Sequence, residues 1–281
     1  MRWVSGLVVC LAMVFAAVAM WAQETKEKVI VDDVERSFMV RLPQGYDARQ
    51  HYPVVILLHG MNQGPDDMER LTQFDQLADK DGIIAVYPIA LHRRWNVGVG
   101  LQERRPRMGP GQRRRGGYGY PGGGYPGGGY PGGGGRYPGG GRRQPQSEQP
   151  SQNKRPAPAD DVAFVNQMLD QLGTSFPWSR TYAAGLSEGG FMSQRLGCAL
   201  GDRIAAIAAV GAAMPKTMIC LPSRPVSLVM INGTSDPLVP YGGGTEHNLD
   251  LPVISVEDSA KAWAKISRRA QFNSNSQAPL F

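Results

Sequence analysis

A serine set among glycines, Gly185-Leu186-Ser187-Glu188-Gly189-Gly190, is the stretch of this chain best suited to chemistry. It follows a short run that reads as a strand, Thr181 to Ala184, and precedes a helix carrying Met192, Leu196 and Leu200. A sharp strand-to-helix turn needs residues without bulk on either side, which Gly185 and Gly189 supply. Such a turn lifts the Ser187 hydroxyl above the sheet edge, as a nucleophile requires. A hydroxyl is a weak nucleophile alone, so the chemistry also calls for a histidine base, an acid to orient it and N–H donors for a developing oxyanion. The donors are expected at Met61, in the loop after His59-Gly60, and at Glu188, directly after the serine. Asp236 is the candidate acid, because it follows the apolar run Val226 to Ile231 through Asn232-Gly233-Thr234-Ser235. That is the carboxyl end of a strand beyond the nucleophile; a turn aspartate before Pro237 is the plainer reading.

The elements that must hold these residues alternate as in a parallel sheet covered by helices. Val29 to Val31 and Ser37 to Leu42 read as a strand pair with Asp32-Asp33 near its turn. The run Val54-Val55-Ile56-Leu57-Leu58 is apolar throughout, as a strand buried on both faces should be, and His59-Gly60 ends it. Leu71, Phe74, Leu77 and Ala78 recur at helical spacing, Gly82 stops that helix, and Ile83 to Tyr87 forms the next strand. Val162 to Leu172 marks another helix, and Ile204 to Val210 and Val226 to Ile231 two more strands. A last helix is expected from Ser255, whose hydroxyl with Asp258 makes a loose capping box.

With 281 residues, 42% hydrophobic and 19% charged, the chain is long enough for a sizeable core and cannot be wholly disordered. Its net charge of +6 is misleading as a sign of nucleic-acid binding. Between Arg93 and Arg155 lie 13 basic residues against two acids, Glu103 and Glu148, so the rest of the chain carries −5. Twenty of the 36 glycines also fall between Gly98 and Gly141, where Tyr-Pro-Gly-Gly-Gly units begin at Tyr120, Tyr125, Tyr130 and Tyr137. Residues 97–159 are therefore read as a disordered Gly/Tyr/Arg-rich insertion that has almost no aliphatic side chains to bury. Its arginines and tyrosines suit an anionic polysaccharide or cell surface, or serve only as a solvated spacer.

The N-terminus reads as an export signal over 1–22, with Arg2, the apolar run Val4 to Met20 and small residues at Ala17-Val18-Ala19 and Ala22. An uncleaved anchor is the alternative, since the run is near the lower limit for spanning a bilayer. A secreted or periplasmic location is expected, with no stable membrane span after cleavage. Two cysteines then remain, Cys198 and Cys220. In an exported chain such a pair closes a disulfide, contributing about 3 kcal/mol, or stays as two buried thiols, and spacing alone does not choose.

Together these residues resemble a known family, the secreted α/β-hydrolase esterases grouped with poly(3-hydroxybutyrate) depolymerases and with feruloyl and acetylxylan esterases. The motifs that carry the resemblance are Leu42-Pro43-Gln44-Gly45-Tyr46-Asp47, Leu57-Leu58-His59-Gly60, Tyr87-Pro88, Trp95-Asn96, Asp160 to Val165, the Ser187 turn and Gly233-Thr234-Ser235-Asp236-Pro237. They run from about Arg36 to Trp263. The resemblance implies an α/β-hydrolase fold over 23–266 with a mostly parallel sheet, Ser187 as nucleophile, Asp236 as acid, a Cys198–Cys220 disulfide, and no metal or organic cofactor.

One departure is prominent. Relatives carry the base in a Gly-His-x-Trp-Pro-Gly stretch one strand beyond the acid, and no such stretch occurs here. The reading is thus of a member apparently truncated at its C-terminus, lacking the usual last strand and histidine loop, with an irregular tail over 267–281. Of the four histidines only His247 follows Asp236, in the loop Gly242-Gly243-Gly244-Thr245-Glu246-His247. It reads first as a solvated loop residue and second as a substitute base. Two functions follow. One is a secreted serine esterase acting on a polyhydroxybutyrate-type polyester or on feruloyl or acetyl esters of polysaccharide. The other is a catalytically impaired relative whose basic insertion binds an anionic polymer or surface. Specific nucleic-acid binding is not expected.

Overall fold

A computed structural model of the chain describes residues 24–98 and 159–276, with side chains described through Ala270. The expected export signal over 1–22, nearly all of the expected insertion and residues 277–281 lie outside the described residues. Two strands, β1 (Glu24–Val31) and β2 (Val34–Arg41), form an antiparallel hairpin. Its two-residue turn, Asp32 and Asp33, has positive φ at both positions (50° and 62°), which matches the right-handed twist of paired strands. Next come β3 (Tyr52–Leu58), α1 (Pro65–Thr72), α2 (Phe74–Asp81) and β4 (Ile84–Pro88). A 3₁₀ turn at Leu91–Arg93 leads to Gly98. After the insertion follow α3 (Asp161–Ser175), β5 (Trp178–Leu186), α4 (Glu188–Ala199), β6 (Ile204–Val210) and β7 (Ser227–Ile231). A small hairpin, β8 (Gly244–Glu246) with β9 (Leu251–Val253), precedes α5 (Val256–Ser276).

The main sheet has seven strands in the order β1-β2-β4-β3-β5-β6-β7. All neighbours from β4 to β7 are parallel, and only the β1–β2 and β2–β4 pairs are antiparallel. Alternation along the buried strands divides the core. Val54, Ile56 and Leu58 of β3 and Ile84 and Val86 of β4 pack with Phe164, Met168, Phe191, Leu196 and Trp263 from α3, α4 and α5. Leu57, Ala85 and Tyr87 point to the other side, against Met68 of α1 and Ala78 of α2. On that second side Val229 and Ile231 of the edge strand β7 remain 56% and 59% exposed.

Two expectations need correction. The helix read through Leu71 and Ala78 is two helices, α1 and α2, because Gln73 between them takes a left-handed conformation (φ 49°). The chain from Ser267 to Ser276 is not irregular but continues α5. Ala270 is buried one turn beyond Ile266, and the Ser267 hydroxyl donates to the Val226 carbonyl (2.7 Å). The strand read at Thr181 to Ala184 is longer, Trp178–Leu186, and the β8–β9 hairpin stands where only a loop is read; the other expected elements are present, with Gly82 capping α2 at φ 65° and the Ser255 hydroxyl accepting the Asp258 N–H (3.0 Å) at the start of α5.

Candidate active site

Strands β3, β5, β6 and β7 run in the same direction, so their carboxyl ends gather four loops along one edge of the sheet. Ser187 sits between β5 and α4 with φ 54° and ψ −118°, a conformation that costs a non-glycine residue about 1–3 kcal/mol. Its N–H donates to the Val210 carbonyl (2.8 Å) and its carbonyl accepts from Phe191 (3.1 Å), which together fix the turn. The neighbouring glycines are compelled by sterics. A Cβ on Gly185 would lie 2.1 Å from the Gly189 carbonyl oxygen, and one on Gly189 would lie 2.1 Å from that of Leu58. Backbone therefore meets backbone at both places, and the turn is locked against the end of β3.

That contact brings the loop after β3 to the serine. Gly60 donates its N–H to the Gln63 side chain (2.9 Å), Gln63 N–H returns to the Gly60 carbonyl (3.2 Å), and Asn62 N–H reaches Arg93 (2.9 Å). The Met61 N–H is left out of these bonds. The Glu188 N–H is at the first position of α4, where no carbonyl lies one turn back within the helix. Among the described residues neither N–H has a hydrogen-bond partner, and both residues lie at the carboxyl edge of the sheet that carries Ser187.

Asp236 follows β7 by five residues and is half-buried. One carboxylate oxygen, Oδ1, accepts the N–H groups of Leu238 (2.8 Å) and Val239 (3.0 Å). The other, Oδ2, has no partner among the described residues and shares the neighbourhood of Gly211 with the elbow: a Cβ built on Gly211 would lie 3.9 Å from it and 4.0 Å from Ser187 N. Ser187 and Asp236 are thus brought together across the end of β6. His247 is exposed at the end of the β8 strand, and its N–H donates to the Leu238 carbonyl (3.2 Å), which seats it on the loop of Asp236. Its ring makes no hydrogen bond to Ser187 or Asp236.

His59 has a different role. It is fully buried, its Nδ1 lies 2.8 Å from the Gly60 carbonyl and its Nε2 accepts the Ala90 N–H (3.2 Å). Burial is the main cause holding this imidazole below its ordinary pKa, and both ring nitrogens are engaged by the backbone. His51 and His92 are exposed.

Glu188 has a feature that its place in the motif did not announce. Its side chain is 1% exposed and accepts from Arg94 Nε (2.9 Å) and the Trp95 N–H (3.2 Å). Burial raises its pKa, while the Arg94 guanidinium works against that rise. A second buried acid, Asp161, accepts from Arg36 (2.6 Å) and from the Asn96 N–H (2.6 Å), and the Arg36 guanidinium stacks over Phe164 at 4.1 Å. These locks hold the 91–98 segment against the elbow; the sequence offers Trp95-Asn96 and Asp160-Asp161 as separate motifs and no sign of the contacts between them. Cys198 and Cys220 form a disulfide with Cα atoms 4.9 Å apart. Among the described residues no group of three His, Cys, Asp or Glu side chains converges as a metal site, and no helix is long and apolar enough to cross a membrane.

Comparison with known proteins bears on this arrangement. A family model described as "Putative esterase" matches residues 28–113. Feruloyl esterase B of Piromyces equi is 33% identical over 118 residues, which cover 39% of this chain and 22% of that protein. "Putative esterase NocK" of Nocardia uniformis subsp. tsuyamanensis is 24% identical over 240 residues, 84% of this chain and 55% of the relative. The chain thus spans about a fifth and about half the length of these curated relatives. The crystal structure of a thermostable esterase superposes with a TM-score of 0.52 at 14% identity, over 87% of this chain and 52% of the other. The fold is therefore that of the α/β-hydrolases, and the relatives that share its sequence are esterases.

Proposed function

We propose that the protein is a serine hydrolase of carboxylic esters. The observation that carries this reading is the pairing of Ser187, strained at the end of β5, with an Asp236 whose Oδ1 is held by two N–H groups while Oδ2 shares the neighbourhood of Gly211 with the same turn. In this reading the Ser187 Oγ attacks the ester carbonyl carbon and its proton passes to an imidazole. The carbonyl oxygen becomes an oxyanion, stabilised by the N–H groups of Met61 and Glu188. Collapse breaks the bond to the alcohol, which leaves with the proton from the imidazole, and water then releases the acid from the acyl-serine by the same route. Asp236 Oδ2 accepts the second ring N–H and fixes its tautomer. The base is assigned to His247, the one histidine seated on the acid's own loop. The ester is assigned to a feruloyl ester, the class in the name of the Piromyces relative, with acetyl esters of polysaccharide and a polyhydroxybutyrate-type polyester as the competing substrates. Export through residues 1–22 would place the protein outside the cytoplasm.

A fluorophosphonate probe tests the assignment directly. Labelling mapped by mass spectrometry to Ser187, and lost in Asp236→Asn, is the expected result; labelling elsewhere, or none, would overturn it. Feruloyl, acetylxylan and polyester substrates compared side by side then identify the acyl group. If His247→Ala abolishes turnover, the base assignment stands, whereas unchanged turnover transfers that role to another histidine.

A further inference from the structure

The amino ends of the parallel strands, on the sheet edge opposite Ser187, line an open cleft of about 280 Å³. At about 3.3 Å per strand residue, Arg180 at its rim lies about 23 Å from Ser187 along β5. Ser179, Arg180 and Thr181 come from the start of β5, Arg203 from the turn before β6, and Arg224 from the loop before β7. Arg203 is already committed, to Asp170 (2.7 Å) and to the Asn166 side chain (2.6 Å). Arg180 and Arg224 are exposed and have no ion-pair partner among the described residues. Against them the lining offers one acid, Asp202. Thr181 also lines the cleft, fully buried, with a hydroxyl that finds no partner among the described residues.

The walls are held rigidly. The loop bearing Arg224 starts at Cys220, bonded to Cys198 at the end of α4, and packs so closely on Gly201 that a Cβ there would lie 2.7 Å from the Pro222 side chain. Two uncommitted guanidinium groups from separate loops, with the Ser179 hydroxyl in the same lining, offer more donors from more directions than a planar carboxylate can use. A tetrahedral oxyanion with four acceptor atoms can use them. A nucleic acid fits less well, because the chain outside 93–155 carries −5.

We propose that this cleft binds a phosphate or sulfate group through Arg180, Arg224 and Ser179, as a site separate from the catalytic edge and independent of its chemistry. Calorimetric titration of the full chain with phosphate, sulfate and a sulfated disaccharide, at ionic strength matched with chloride, tests it. Binding should weaken about tenfold or more in Arg180→Gln/Arg224→Gln and tighten in Asp202→Asn. Turnover of a p-nitrophenyl ester should not change in either variant. A disaccharide bound well above free sulfate would identify a saccharide-borne group, and equal affinities a free anion. The proposal fails if none of the three binds beyond chloride, or if the double variant binds as tightly as the unaltered chain, which would move the anion to the basic 93–155 segment.

Discussion

Gly189 shows how narrow the choice of residue is around the serine. A methyl group there would sit 2.1 Å from the Leu58 carbonyl oxygen and 2.7 Å from that of His59, and neither strand end can move without breaking the sheet. Gly189→Ala should therefore cost more than about 3 kcal/mol, read as a large fall in melting temperature or as insoluble protein. Asp236 is a subtler case. In Asp236→Asn the amide oxygen can keep the two N–H groups of Leu238 and Val239, which leaves the NH₂ in the place of Oδ2, where an acceptor is wanted. The fold should persist while kcat falls by about 10⁴, the size of effect expected when an imidazole is held in the wrong tautomer. The glycine spacing and the aspartate after β7 were legible in the sequence because sterics and strand order dictate them. The proposed base was not, since His247 occupies a loop whose course no local pattern fixes.

At the scale of elements, the break between α1 and α2 links the surface to the core. Glu69 on α1 is pushed up to about 7, first by its hydrogen bond with Asp75 of α2, then by partial burial and by the charges of Asp75 and Glu24, against the pull of Arg41. Asp75 in turn accepts from the Tyr87 hydroxyl (2.6 Å) and lies 3.0 Å from Arg41 Nε, while Arg41 also pairs with Asp79 (2.7 Å). A carboxyl group whose folded pKa is raised contributes stability that is complete below its ordinary value and is lost as pH rises through about 7. Melting temperature should thus decline from about pH 5 to about pH 8, and Glu69→Gln, which keeps a donor toward Asp75 at every pH, should flatten that decline. An unchanged slope in the variant would remove Glu69 from the account. The apolar strands β3 and β4 could be read directly because both of their faces are largely buried, and β6 because its residues are apolar throughout. Gln73 carries no glycine or proline signal for its left-handed turn, and the late turns of α5 hide a sparse apolar spacing, Trp263, Ile266 and Ala270, among arginines.

For the molecule as a whole, the described residues on either side of 99–158 meet at one place on the α/β domain. The Asn96 side chain donates to the Ala159 carbonyl (2.8 Å), the Asn96 N–H to Asp161 (2.6 Å), and the Asn96 carbonyl accepts from Arg195. Joining Gly98 to Ala159 through a short glycine linker should accordingly leave the melting temperature and ester turnover near those of the full chain. A collapse of either would mean that the insertion contributes to the core. The central claim is that one serine carries the chemistry of this scaffold, and it is tested most directly by hydrolysis of p-nitrophenyl acetate by the purified chain beside Ser187→Ala. Turnover that falls to the uncatalysed background in the variant, with the fold intact by circular dichroism, is the predicted result; equal rates for the two proteins would contradict it.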